Sequence, residues 1–181
     1  MQVDLAAQPR EWAADTVRQR WAAQKLDPDP RRAEVITGSV ARIVGALDTA
    51  ALDEALLLYP AADGPVVAVV GLRSFAVPPG FTLAALGEEL CVPAEMLECP
   101  RQRSVVETLT GPAVRLVQRY REPLSSNAAE IRDHIAYGWL FAQTTVVVAS
   151  TAFVDLVAAG TWITTVDERF VGRTQVSGVN G

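Results

Sequence analysis

The sequence predicts an α+β fold, an antiparallel meander sheet covered by helices, with an additional N-terminal helix. Residues 131–149 (IRDHIAYGWLFAQTTVVVA) hold two strand-like segments that lead directly into a candidate final helix. Two further strand-like segments, 104–110 and 113–121, surround a Thr-Gly-Pro turn, and a hairpin signal lies earlier in the chain. Strands grouped in runs, with helices before and after them, are typical of this class.

Length and composition limit the classes of protein to consider. With 181 residues, of which 50% are hydrophobic and 20% charged, the chain is long enough for one domain with a sizeable core. Its net charge of −5 argues against a general affinity for nucleic acid or anionic membranes, because both require clustered positive charge. Lys25 is the only lysine among 16 basic residues, and this bias, with the high Ala and Val content, indicates a high-GC bacterial genome such as that of an actinobacterium.

The start of the chain predicts a cytoplasmic protein. Residues 1–25 carry charges every few positions and lack the apolar stretch of a secretory signal peptide. No membrane span is expected, because the apolar run from residue 146 is broken by Ser150, Thr151 and Asp155. Two cysteines are too few for a disulfide scaffold in a reducing cytosol, and the sequence leaves open whether they pair.

The first predicted element is a helix over residues 9–26, which the Asp-Pro repeat at 27–30 ends. Trp12, Ala13, Val17 and Trp21 are expected near one face of this helix. In one interpretation, both tryptophans pack against the domain. In another, the helix is an interaction arm whose tryptophans are buried against a partner or a second copy of the chain. The predicted organisation is an arm at 1–30, one α+β domain at 31–172 and a flexible tail at 173–181.

Between the arm and the meander, the sequence predicts a hairpin and a helix and leaves one segment ambiguous. Residues 39–45 (SVARIVG) fit either a short helix or a strand. Residues 51–59 and 65–75 flank a Pro- and Asp-Gly-containing turn, which predicts a hairpin. Thr82 is the expected N-cap of a helix over 83–91, and Thr151 the expected cap of the final helix over 153–170.

The order hairpin, helix, meander, helix resembles the PsbP-like fold, and the strand at 144–150 (TTVVVAS) running into the helix that starts FVDLVAAGTW carries the likeness. That fold is shared by a photosystem extrinsic subunit, a nuclear import factor that binds a small GTPase, and mycobacterial lipoproteins of the LpqN type. The resemblance covers about residues 35–170 and implies a binding or assembly module without chemistry. It assigns no functional residue, and the chain has no lipobox cysteine near its start.

Candidate chemistry rests on few residues. His134 is the only histidine, and in a strand its neighbour Asp133 points to the opposite face, so a structural histidine is favoured over a catalytic one. Cys91 and Cys99 lie too far apart in sequence for the usual zinc pattern, and a fourth ligand is missing. Hydrolase, dinucleotide and nucleotide-triphosphate motifs are absent from the sequence, so neither a metal nor a cofactor is predicted.

Two residue sets remain as candidate binding surfaces. Aromatic side chains at 137, 139 and 141 alternate along one strand and therefore share one sheet face, which the final helix or the N-terminal helix is expected to cover. The densest charge cluster consists of arginines 101, 103, 115, 119 and 121. It is either a binding surface for an acidic partner or a carboxylate, or a solvated face balanced by Glu107 and Glu122. The predicted partner-binding residues are Trp12, Trp21, Arg115, Arg119 and Arg121.

These observations predict a non-catalytic module that binds another protein or copies of itself, within a bacterial multiprotein system. One alternative is a small-molecule binding protein that uses the aromatic sheet face and one or two arginines to hold a carboxylate. A further alternative is an enzyme that uses His134 with Asp133 or Glu130.

Overall fold

Helices and strands alternate in groups along the chain, which we describe from a computed structural model for residues 2–3, 8–26, 29–45, 47, 51–58, 68–125, 128–153 and 156–173. The helices are α1 (Pro9–Ala23), α2 (Pro30–Gly45), α3 (Leu83–Glu89) and α4 (Leu156–Arg173), with one 3-10 turn at Ala94–Met96. The strands are β1 (Glu54–Leu58), β2 (Ala68–Ala76), β3 (Gln102–Thr108), β4 (Gly111–Ser125), β5 (Ala128–Phe141) and β6 (Thr145–Phe153). This content confirms the predicted α+β class.

The chain divides into two compact units, Met1–Leu72 and Arg73–Gly181. The sequence instead predicts a boundary between arm and domain at residue 30, after the first helix. The difference arises because α1 packs against α2 within the first unit, so the Asp-Pro repeat connects two helices of one unit.

The first unit has its own core, built from α1, α2 and β1. Asp29 caps α2, since its Oδ1 accepts a hydrogen bond from the Arg31 backbone N–H at 2.9 Å. The segment at 39–45, which the sequence leaves ambiguous, is the second half of this helix. The buried residues Ile36, Val40 and Val44 follow at intervals of four and form the face that packs into the core.

The predicted hairpin is confirmed by the pairing of β1 with β2. The two strands run antiparallel from Glu54 opposite Leu72 to Leu58 opposite Ala68. The turn predicted at 60–64 lies outside the described residues. Along the sheet the strand order is β1-β2-β6-β5-β4-β3, so the last four strands form the predicted meander in the second unit.

The meander has two different faces because side chains alternate along each strand. The pairs Arg115 with Tyr137 and Arg119 with Asp133 lie on one face, and the pairs Val114 with Gly138 and Gln118 with His134 lie on the other. This alternation confirms the expectation that Asp133 and His134 point to opposite sides of the sheet.

Each face of the meander carries one helix. Thr82 caps α3 as predicted, accepting from the Ala85 backbone N–H at 3.1 Å, and Leu86 of this helix packs with Val114, Val146 and Val148. Helix α4 contacts β3 and β5 and lies over the opposite face.

The predicted start of the final helix is wrong by three residues. Strand β6 continues through Thr151 to Phe153, both buried, with the exposed Ala152 between them, and α4 begins at Leu156. Alternating burial along the sheet therefore decides the structure of this segment, and Thr151 is a strand residue rather than a cap. Of the predicted tail, residues 174–181 lie outside the described residues.

Candidate functional site

The candidate site of the first unit is the groove between α1 and α2. Its volume is about 560 Å³, and most of the residues that line it are apolar: Ala14, Val17, Trp21, Ala22, Leu26 and Ala33. Pro9 begins α1, and α2, which begins at Pro30, packs alongside it. The alanines on both walls have short side chains that fill little of the groove.

Trp21 forms part of the groove wall. The residue is only 4% exposed, and its indole Nε1 is buried without a hydrogen-bond acceptor among the described residues. A buried N–H group without a partner costs roughly 1–3 kcal/mol.

The rim of the groove is charged. Arg10 on α1 pairs with Glu34 on α2 at 2.6 Å, and Arg18 pairs with Asp15 within α1. All four side chains are more than 60% exposed, so each pair contributes at most about 1 kcal/mol. Residues 9–45 carry a net charge of +2, whereas the whole chain carries −5. The helical pair is therefore a locally basic part of an acidic protein.

A polar network in the second unit ties α4 to the sheet. Arg115 on β4 makes two hydrogen bonds to Asp167 on α4, from Nε to Oδ1 at 2.7 Å and from Nη2 to Oδ2 at 2.6 Å. The Tyr137 hydroxyl on β5 donates to the same carboxylate. Tyr137 also stacks on Trp139, whose indole donates to Thr108 at 3.0 Å. Both aromatic residues are 1% exposed, so this stripe is core beneath α4.

The other predicted arginines also bind carboxylates of this chain. Arg119 makes two hydrogen bonds to Asp133, at 2.7 and 2.8 Å, and this contact raises the pKa of Arg119. Arg121 donates to Glu98 at 2.7 Å. Arg115, Arg119 and Arg121 thus bind Asp167, Asp133 and Glu98, and Arg103 of the same cluster binds Glu88, rather than the expected Glu107 and Glu122.

His134 belongs to a hydrogen-bonded group at the end of α3. The Oε1 of Gln118 accepts from the Val92 backbone N–H at 3.2 Å, and its Nε2 donates to the Leu90 carbonyl and to His134 Nδ1, each at 3.1 Å. An imidazole that accepts at Nδ1 is neutral. Burial, and then the positive charge of Arg73, lower the His134 pKa to about 4.

This pKa predicts a stability that depends on pH. Because the unfolded imidazole titrates near 6.5 and the folded one near 4, the unfolded state binds more protons between these values, and stability falls as pH is lowered through this range. The loss should reach about 3 kcal/mol at its limit. With a single histidine in the chain, proton NMR of the imidazole gives the folded pKa directly, and chemical denaturation at several pH values gives the slope.

His134→Gln is the control, because it removes the titrating ring but keeps a side chain that can accept from Gln118. We expect the stability of this variant to depend less steeply on pH between 4 and 6.5 than that of the parent chain. Equal slopes, or an imidazole pKa near its ordinary value, would contradict the half-buried neutral histidine.

The five predicted binding residues therefore lie in different environments. Trp21 lines the groove, and Trp12 is half-buried against the core of the same unit. The three arginines lie on β4 in the second unit, each bonded within the chain. Their binding roles remain predictions.

The second wall of the groove, which α2 supplies through Ala33, Glu34 and Thr37, is not among the residues predicted from the sequence. Two signals could have indicated this helix: Asp29 directly before Pro30, as an N-cap followed by proline, and apolar residues at 36, 40 and 44.

When the chain is compared with known proteins, no family model and no curated sequence matches it. Among the described residues, no helix is both long and apolar enough to cross a membrane. The same part of the chain holds no group of three or more His, Cys, Asp or Glu side chains suited to a metal ion.

Proposed function

We propose that this protein is a non-catalytic protein-interaction module, and that the groove between α1 and α2 holds an acidic, amphipathic helix of another protein. The open apolar groove, with Trp21 in its wall, is the observation that carries the proposal. Helix-in-groove binding uses an apolar face laid between two helices, which here would complete a three-helix bundle.

Charge supports an acidic occupant. Arg10 and Arg18 stand at the rim in exposed ion pairs that contribute little to stability, so carboxylates of a partner can replace Glu34 and Asp15 as their acceptors. The net positive charge of residues 9–45 would also speed association with an acidic segment.

The other functions considered from sequence have less support. The aromatic stripe that would hold a small carboxylate is buried beneath α4, and Arg115 there is bonded to Asp167. His134 is neutral and its Nδ1 is bonded to Gln118. The cytoplasmic location, the bacterial multiprotein system and the relationship to the PsbP-like fold remain predictions from sequence.

The test is selection of binding peptides against the full chain. A display library of peptides of about 14 residues, or four helical turns, should yield binders with apolar residues at helical spacing and net negative charge. Ala22→Glu, on the groove wall, should weaken these peptides about tenfold or more by placing a carboxylate against their acidic, apolar helix.

Ala23→Glu is the matched control. Ala23 is the next residue of α1, is exposed like Ala22 and does not line the groove, so this variant should bind the selected peptides as the parent chain does. The proposal fails if the peptides do not distinguish the two variants. If the peptides are basic rather than acidic, the groove remains a docking site but the chemistry of the partner is wrong.

A further inference from the structure

Strand β3 is an exposed edge of the sheet. It is the last strand in the order β1-β2-β6-β5-β4-β3 and pairs only with β4 among the described strands. Four consecutive residues from Gln102 to Val105 are exposed, and Val105 is 64% exposed at the centre of the strand. An edge strand presents unpaired backbone N–H and C=O groups, which can hydrogen-bond to a strand of another molecule.

Proteins usually protect such an edge with charged residues, because like charges repel when two copies of the strand meet. Here the charges are arranged differently. Arg103 and Glu107 have opposite signs and lie at equal distances on either side of Val105. All three side chains point to the same sheet face, since they alternate with Ser104 and Val106.

We propose that this protein forms a two-fold dimer through antiparallel pairing of β3 with β3 of a second copy, centred on Val105. In this register Val105 of one protomer meets Val105 of its partner. Arg103 of each protomer then lies opposite Glu107 of the other, which gives two equivalent ion pairs. A strand that is complementary to itself in this way meets the requirement of a two-fold interface, in which the same surface serves both copies.

The charges already present on the face allow this pairing. Arg103 is bonded to Glu88 on α3, and the two side chains are 41% and 67% exposed. A guanidinium offers five N–H donors, so Arg103 can keep Glu88 and also donate to Glu107 of the second copy. Opposite charges directly across an antiparallel pair stabilise the pair, whereas like charges there destabilise it. This inference does not depend on the groove between α1 and α2.

The first experiment measures the mass of the full chain by light scattering over a concentration series. The parent chain should pass from one to two times 19.4 kDa as its concentration rises. In the Glu107→Arg variant, an arginine at 107 faces Arg103 of the other protomer at both ends of the interface. In the Arg103→Glu variant, a glutamate at 103 faces Glu107 at both ends. Each variant should weaken the dimer about tenfold or more. An equimolar mixture of the two variants restores opposite charges at both positions and should dimerise like the parent chain.

The outcomes separate clearly. A parent chain that stays monomeric throughout the series overturns the proposal. A dimer that both charge variants leave unchanged, or that the mixture fails to restore, shows that another surface is used. Arg103→Glu also faces Glu88, so its melting temperature is measured beside that of Glu107→Arg to verify that both variants are folded.

A second measurement does not depend on the charge variants. Val105→Cys places two thiols directly opposite each other across the two-fold axis, where Cβ atoms of facing residues are about 5 Å apart. Ser104→Cys is the control, because residue 104 faces residue 106 of the second copy and points to the other side of the sheet. With Cys99→Ser in both variants, mild oxidation should cross-link residue 105 at least about tenfold faster than residue 104. Equal rates would overturn the register.

Discussion

Replacing Asp167 by alanine is expected to lower the free energy of unfolding by about 3 kcal/mol, because it leaves Arg115 without its carboxylate beneath α4. The Asp167 side chain is 28% exposed and that of Arg115 is 18% exposed, which places the effect at the lower end of values for buried ion pairs. Tyr137, which is buried, loses the same acceptor. Denaturant unfolding of the full chain measures the change.

Two variants show whether this loss comes from the ion pair. Glu168→Ala changes the next residue of α4, which is exposed, and should alter the free energy of unfolding by less than about 0.5 kcal/mol. The double variant Arg115→Met with Asp167→Leu removes both charges and should cost less than Asp167→Ala alone, because no unpaired charge remains. If Asp167→Ala is as stable as the parent chain, the network does not hold α4.

The sequence predicts which residues of this network share a sheet face, but not how they pair. The period of two along strands correctly places Arg115 and Arg119 on one face of β4, and the aromatic residues 137 and 139 on one face of β5. The partner of Arg115 lies 52 residues away, on a helix that begins later than predicted. Such a pairing depends on strand register and on how a helix lies over the sheet, and neither is encoded in local spacing.

The helices show where local patterns succeed and where they fail. Thr82 was recognised because an N-cap acts through a hydrogen bond to a residue three positions away. Residues 39–45 are ambiguous in sequence because β-branched residues fit a strand, and packing against α1 helps to stabilise the helix. At residues 151–153 burial in the sheet favoured the strand over the expected cap.

The candidate groove illustrates the same limit. The two tryptophans of the first predicted helix indicate that α1 has a role in packing or binding. A groove, however, needs two walls, and the second wall depends on the tertiary contact between α1 and α2. The sequence could therefore indicate Trp21 but not the cavity beside it.

Replacing Gly138 by alanine is also expected to cost about 3 kcal/mol, since the new methyl group has no space on the α3 face of the sheet. A Cβ atom at this position would lie 2.6 Å from Leu86 Cδ2 and 3.2 Å from Leu90 Cδ1. Leu86 is fully buried among Val114, Val146 and Val148, so it cannot turn away without displacing α3. Denaturant unfolding measures the loss, and hydrogen exchange of the α3 amides reports the displacement.

Gly160→Ala is the matched control in the same unit. Among the described residues, no atom lies within 4 Å of a Cβ atom placed there. Gly160 is an exposed residue of α4, so alanine should raise the free energy of unfolding by about 0.5–1 kcal/mol through its higher helix propensity. Combining Gly138→Ala with Leu86→Ala makes room for the methyl group, and the double variant should be more stable than the sum of the two single losses predicts. Additive losses would mean that Leu86 is not the residue that excludes a side chain at position 138, and that α3 lies farther from the sheet than this structure places it.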